Sequence, residues 1–526
     1  MFEKRKNYVY VAVVSVLNII LRGVSFVLPF ASSLLVDEGF SIRRMLAVLV
    51  LLAFSFLINV IVTEIQKKVA VEFRCQLNMD LYRKLFKVRY SSLNRNGMPY
   101  YIERINLAVA SYSDYFLYSI PNLISLFLTV GVSLLLICSV SIPIALVVLV
   151  ILVIQLVGYN AINRKLKEKS IDLQKTCAFS FSNILSVLGC VDFIKAQACF
   201  DGIQKVLEND VTEIHKSNTN VNTYAKMIGN VLSLLISNMQ YLVYLLFGFM
   251  VIEGNIPASE FLFAIMITNI CFASFSELVR TNINLKDMKA SEDFIEKELE
   301  NEKEDNGVIR IESIDRISFS NCRIGYGENI LIEKANIQIN KGDVVLIKGK
   351  TGSGKSSLIK SLLGFLPVEG LSFNNVDINK IDICSARSKI VLVPQNGLIF
   401  NGTVLQNVLF GEQTRDIDEV SKRSFFSKYV MSDGRISDME ITASGSNLSG
   451  GDKQKISVAR LFLKDPDLVI LDEVTSSMDE RTAESVYLEV LEKYKSRIII
   501  IISHSPFVEK FATRVLKVEN KRLVES

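Results

Sequence analysis

The sequence predicts two domains of different class: an all-α, membrane-spanning domain of six helices, followed by a soluble α/β domain. Three observations carry this. At 526 residues the chain is too long for one ordinary core. Half of the residues are apolar and the mean hydropathy is +0.33, yet that excess is concentrated in long runs within residues 8–280. Residues 290–526 instead carry the pattern of a soluble α/β domain, and from Asp343 to Phe365 an apolar strand, a glycine-rich loop and a helix follow one another.

A helix needs about 20 mostly apolar residues to cross the hydrocarbon core. Six runs qualify: Tyr8–Val36, Met45–Ile65, Phe116–Ser139, Ile142–Ala161, Met227–Ile252 and Ala258–Phe275. Their orientation follows from the basic residues. "EKRK" precedes the first run, Lys67 to Arg104 supply a basic cluster after the second, and Arg164 to Lys195 another after the fourth. These segments are expected on the cytoplasmic side, with both termini. Arg43 and Arg44 run against the rule but are outnumbered. "MFEKRK" is followed by too long an apolar run for a cleavable signal peptide.

The two cytoplasmic segments, about residues 66–115 and 162–226, are polar, helix-patterned and poor in breakers. The membrane helices are therefore expected to continue past the bilayer as rods, with turns near Glu103–Ser111 and Val191–Asp201. Polar residues inside spans are costly and face a partner or a cavity. Arg22 is the clearest case and is open to structural pairing or pathway lining; Asn59, Gln155, Asn238, Gln240 and Asn269 read first as interhelical hydrogen bonds. The membrane domain thus spans 1–286, a charged linker 287–307, and the α/β domain 308–526.

Net charge is only +4, which gives no reason to invoke nucleic acid, and none is expected as a partner. The eight cysteines are scattered without a CxxC pair, so neither a zinc site nor a disulfide framework is expected.

In the second domain, "GKTGSGKSS" at Gly349–Ser357 fits GxxxxGK followed by Ser or Thr, in strand–loop–helix context. That is a P-loop, and the fold class becomes an α/β P-loop nucleotide-binding domain. Gly349, Gly352 and Gly354 let backbone approach phosphate, and Lys350, Thr351, Ser353 and Ser357 complete the cradle. Lys355 can reach the β- and γ-phosphates of ATP, and Ser356 can offer its hydroxyl to Mg²⁺. "LVILDE" is a buried strand ending in acids. Asp472 is placed to hold Mg²⁺, and Glu473 to orient or deprotonate an attacking water. His504, one of two histidines, follows the apolar strand of "SRIIIIISHS" and can meet a γ-phosphate and Glu473. Gln395 follows "IVLVP" and can coordinate Mg²⁺ through its carbonyl; Tyr326 offers a face for adenine. "NLSGGDKQ" is a second anion cradle, in which Ser449, Gly450 and Gly451 open a helix.

Together these pieces resemble the ABC transporter family, in particular half-size exporters. "GYGENIL" is similar to the A-loop, "GKTGSGKS" to Walker A, "VPQNGLIFNGT" to the Q-loop, "LSGGDKQ" to the signature, "LVILDE" to Walker B, "SSMD" with Asp479 to the D-loop, and "SHS" to the H-loop. The resemblance covers essentially the whole chain. It implies two chains packed head to tail, each ATP clasped by the P-loop of one and the signature of the other. It also implies that the turns ending the cytoplasmic rods are coupling helices. An intact Glu473 and His504 favour a homodimer. The expected partners are a second half-transporter, membrane lipid and a transported peptide or amphipathic compound. A bacterial plasma membrane is the expected place. A membrane sensor that uses ATP as a switch, and an importer on the same scaffold, are the alternatives. Three positions depart from the family pattern: Asp452 stands where Gln is usual, Lys455 where Arg is common, and Ala443 where Glu is usual.

Overall fold

The structure is a computed structural model that describes residues 4–38, 41–326, 329–412, 417–431, 434–442 and 445–525. It divides into two compact units, residues 1–88 with 92–303, and residues 89–91 with 304–526.

The first unit is all-helical. It comprises α1 (Lys4–Ser25), α2 (Val27–Glu38), α3 (Ile42–Leu85), α4 (Tyr90–Asn96, of which Tyr90 and Ser91 group with the second unit), α5 (Met98–Ser113), α6 (Ile120–Val140), α7 (Ile142–Leu188), α8 (Val191–Gln197), α9 (Phe200–Ile252) and α10 (Ala258–Phe294). The first apolar run is broken between α1 and α2. Pro29 has no N–H to donate and its ring crowds the carbonyl four residues earlier. Among the described residues five helices are long and apolar enough to cross a membrane, and α7 begins with a shorter apolar stretch, Ile142–Gly158.

The rods are present. α3 is 44 residues and α9 is 53 residues, so α3 alone measures about 66 Å, twice the hydrocarbon thickness. The first turn is not at Glu103–Ser111, which lies inside α5; the chain turns instead across residues 86–97. The cause is legible in "NGMP". Gly97 adopts φ +79° and Pro99 occupies the first turn of α5, a position that needs no N–H. The second turn falls where expected, with Gly189 ending α7 and Ala198 in the left-handed region after α8. At the other end of the unit, α10 passes into a wider π turn, Ile295–Glu300.

Arg22 is paired. Its Nη2 donates to Glu277 Oε2 at 2.8 Å and to Asn122 Oδ1 at 3.1 Å, while Asn122 Nδ2 donates to Glu277 Oε1 at 2.7 Å. Three helices, α1, α6 and α10, are thereby tied by one charge-compensated cluster. Gln155 donates to Ser276 Oγ, and Gln240 to Asn269 Oδ1. Asn59 and Asn238 are exposed.

The second unit contains β1 (Arg316–Tyr326), β2 (Asn329–Asn340), β3 (Val344–Gly349), α11 (Lys355–Leu362), β4 (Val368–Phe373), β5 (Val376–Asp377), α12 (Ile383–Arg387), β6 (Ile390–Val393), β7 (Gly402–Thr403), α13 (Val404–Leu409), α14 (Ile417–Ser421), β8 (Glu440–Ile441), α15 (Gly450–Leu461), β9 (Leu468–Asp472), α16 (Glu480–Tyr494), β10 (Ile498–Ile502), β11 (Arg514–Glu519) and β12 (Arg522–Glu525). Its main sheet has the order β12-β11-β3-β10-β9-β6, and every neighbour is parallel except β11 with β12. A parallel strand covered on both faces reads as a continuous apolar run. β10 is five isoleucines, all buried. A second, antiparallel sheet has the order β2-β1-β4-β5.

Candidate functional site

Strand register decides which residues can meet. Val393, Leu471, Ile501 and Leu346 are successive register partners across β6, β9, β10 and β3. The segments that leave these strands therefore emerge at one edge: the loop after Gly349, Gln395, Glu473 and His504. In open α/β sheets ligands bind at this carboxyl end.

The Gly349–Ser357 loop is built for close approach. A Cβ on Gly349 would lie 2.7 Å from Ser353 Oγ and 2.9 Å from the Val518 carbonyl oxygen, and Gly354 enters α11 at φ +107°. The side chain of Lys355 is buried, and its Nζ donates to the carbonyls of Gly349 at 2.6 Å and Lys350 at 3.2 Å. The ammonium is thus held at the mouth of the loop. Ser353 Oγ is buried and has no protein partner. A glycine-rich turn of backbone N–H groups with an orphaned hydroxyl and a cation, with no room for a side chain at Gly349, fits a polyphosphate. Ser356 and Thr351 are exposed, whereas Ser357 is buried.

At the end of β9, burial first and the neighbouring Glu473 charge second raise the Asp472 carboxyl, while Lys355 lowers it. Glu473 has φ +49°, the left-handed region, where a residue with a Cβ is strained. Its amide donates to Ile502 O on β10 at 2.9 Å. Its carboxylate accepts from Gln395 Nε2 at 2.6 Å and lies 3.4 Å from His504 Nε2. Three residues from three strand ends thus share one carboxylate. A cavity of about 620 Å³ opens beside Glu473 and His504, lined also by Thr475, Ser476, Met478 and Phe507.

Ser449 caps α15. Its Oγ accepts from the Asp452 amide at 3.2 Å and donates to Asp452 Oδ2 at 2.7 Å. Gly450 and Gly451 form the first turn, where a Cβ on Gly451 would come within 2.7 Å of the Ser477 carbonyl oxygen. Among the described residues no hydrogen bond joins Ser449–Gly451 to the Gly349–Ser357 loop of the same chain. Asp479 caps α16, its carboxylate accepting from Thr482 N at 3.0 Å and Thr482 Oγ1 at 2.7 Å; these bonds lower its carboxyl. Tyr326 ends β1, but its side chain lies outside the described residues, as does Ala443.

One buried residue escaped the sequence reading. Gln454 Nε2 donates to the Gln395 carbonyl at 3.0 Å and to Ser476 Oγ at 2.9 Å, while its Oε1 accepts from Ser477 N at 3.1 Å. It joins α15 to the loops after β6 and β9. Its place in "SGGDKQ" was the available signal, but these contacts span residues far apart in the chain.

Two family models match. "ABC transporter transmembrane region" covers residues 11–275 and "ABC transporter" covers residues 332–476. The chain is 28% identical over 226 residues to a probable ABC transporter ATP-binding/permease protein of Haemophilus influenzae, covering 42% of this chain and 41% of that one. It is 29% identical over 233 residues to the ATP-dependent lipid A-core flippase of Psychrobacter arcticus, covering 43% and 39%. The matched stretches therefore span about two fifths of these relatives' own length. In fold it is similar to a bacterial Atm1-family ABC exporter with ATP bound, with TM-score 0.85 and 17% identity over 99% of this chain and 94% of that one.

Proposed function

The chain belongs to the ABC transporter family, and from that premise we propose that it is an ATP-hydrolysing half-size exporter that works as a homodimer. The observation that carries the reading is the shared carboxylate: Gln395, Glu473 and His504 converge at the sheet edge that also bears the phosphate cradle.

In this reading the N–H groups of Gly349–Ser357 hold the phosphates of ATP, and the Lys355 ammonium exchanges its carbonyl partners for phosphate oxygens. Ser356, Gln395 and Asp472 would hold Mg²⁺, which would supply neutralisation of phosphate charge. Glu473 orients the attacking water and accepts its proton, and His504 steadies that carboxylate and the γ-phosphate. Tyr326 stacks on adenine. Ser449, Gly450 and Gly451 of the partner subunit close the site, and Asp479 fixes the start of α16 beside it. Each chain then supplies half of two sites, and the closing of the pair moves rods that continue into the membrane.

The protein is read as a multi-pass membrane protein of a bacterial plasma membrane, with both termini cytoplasmic. The cargo is a peptide or a lipophilic, amphipathic compound; the lipid-flipping relative supports an amphipathic class. The test is ATP-driven uptake of labelled lipid and peptide probes into inside-out vesicles. Wild type is expected to accumulate one class, and Glu473→Gln neither. Uptake by the variant at the wild-type rate would contradict the assignment.

A further inference from the structure

The signature turn of this chain carries a charge arrangement of its own. Ser449 Oγ donates its single proton to Asp452 Oδ2 at 2.7 Å, and Lys428 Nζ reaches the same oxygen at 3.0 Å. A serine hydroxyl has one proton to give, and a carboxylate can only accept. While the proton is committed to Asp452 it cannot go to a phosphate. We propose that Asp452 and Lys428 set the strength of the signature grip: the carboxylate occupies the Ser449 hydroxyl and opposes an incoming phosphate, and the Lys428 ammonium offsets that opposition. This inference rests on the dimer reading above, in which the turn meets the partner's ATP.

Burial and charge agree with it. The Asp452 side chain is 11% exposed, so its charge is poorly screened, whereas Lys428 is 63% exposed. Burial would raise the Asp452 carboxyl, but Ser449, Lys428 and the Tyr429 hydroxyl together outweigh it and pull it down to about 2. The group is therefore an anion throughout the working range. The helix itself gains from an acid in its first turn. The grip does not, because the same charge stands beside the N–H groups that would receive an anion. Stability of α15 and affinity for the phosphate thus pull in opposite directions at one residue. An amide at this position removes the conflict: its NH₂ can donate to Ser449 Oγ and release the hydroxyl proton.

The experiment is the ATP dependence of turnover by the full-length protein in lipid, as a double-mutant cycle. Asp452→Asn is expected to lower the KM for ATP by about two- to fivefold, and Lys428→Ala to raise it by a similar factor, less at high salt. In the Asp452→Asn background Lys428→Ala should change nothing. A gain in affinity is a useful sign, since damage to the fold weakens binding. Lys428→Glu gives a second arm, expected to raise KM more than Lys428→Ala. An unchanged or raised KM in Asp452→Asn overturns the inference, as does an equal effect of Lys428→Ala in both backgrounds or equal KM for the two lysine variants. Ser449→Arg separates the levels. If it abolishes turnover while the Asp452 and Lys428 variants do nothing, the inference fails and the dimer reading stands; if it leaves turnover intact, the dimer reading fails too.

Discussion

At Glu473 the backbone stores the cost of the site. A left-handed residue bearing a Cβ is strained by about 1–2 kcal/mol, and this one directly follows β9, with its carboxylate meeting Gln395 and His504. Two substitutions separate strain from chemistry. Glu473→Gly relieves the strain and Glu473→Ala does not, so thermal unfolding should find the glycine variant more stable than the alanine variant by about 1 kcal/mol. Both should lose ATP turnover by about 10²–10⁴-fold. Equal stability would mean that the left-handed conformation is not maintained in solution. Much of this cluster was legible in the sequence because each member follows an apolar run, and residues just past parallel strands share an edge. Gln454 was less legible: its place in "SGGDKQ" marks the position, but not an amide that serves two loops some 59 and 22 residues away. The Ser449–Asp452 pair was half legible. The acid stood out as a departure, but its hold on the hydroxyl requires the helix N-terminus to be seen.

Among the elements, the rods follow from composition and the turns from single residues. "NGMP" ends one rod because Gly97 takes φ +79° and Pro99 starts a new helix; the expected turn at Glu103–Ser111 overlooked this pair of breakers and fell within α5, where Arg104, Ile105, Ala108 and Val109 are buried. The kink between α1 and α2 likewise follows from Pro29. Within the helical unit, Arg22 tests what a polar cluster does. Its partner Glu277 lies on α10, and Asn122 on α6 bonds both. Arg22→Met leaves an uncompensated carboxylate and should cost on the order of 1–2 kcal/mol, after discounting for the pair's partial exposure. Arg22→Met combined with Glu277→Leu should recover most of that loss in thermal unfolding. A double variant no more stable than the single one would show that the cluster is not held by charge compensation. Arg22 could be singled out from sequence, because a cation within an apolar run needs a partner; the partner could not, since Glu277 lies 255 residues away.

For the whole molecule the proposed function turns on a division of labour between two grips. The loop at Gly349–Ser357 stands at the sheet edge with the Glu473 cluster, and the Ser449–Gly451 turn opens a different helix whose hydroxyl faces Asp452. One nucleotide clasped by both requires two chains. The two-domain plan was readable at this scale from hydropathy alone, because lipid and water select opposite compositions. The proposed pairing of chains rests on family resemblance, since periodicity says nothing of partners. The most direct measurement is subunit complementation. Lys355→Ala breaks the phosphate loop and Ser449→Arg breaks the signature turn, so each variant alone should be inactive as an ATPase. In a mixture, the loop of the Ser449→Arg chain faces the signature of the Lys355→Ala chain, and one intact site forms. Turnover that appears only after co-assembly is the expected result. A mixture as inactive as its components, from chains that demonstrably associate, would contradict the shared site.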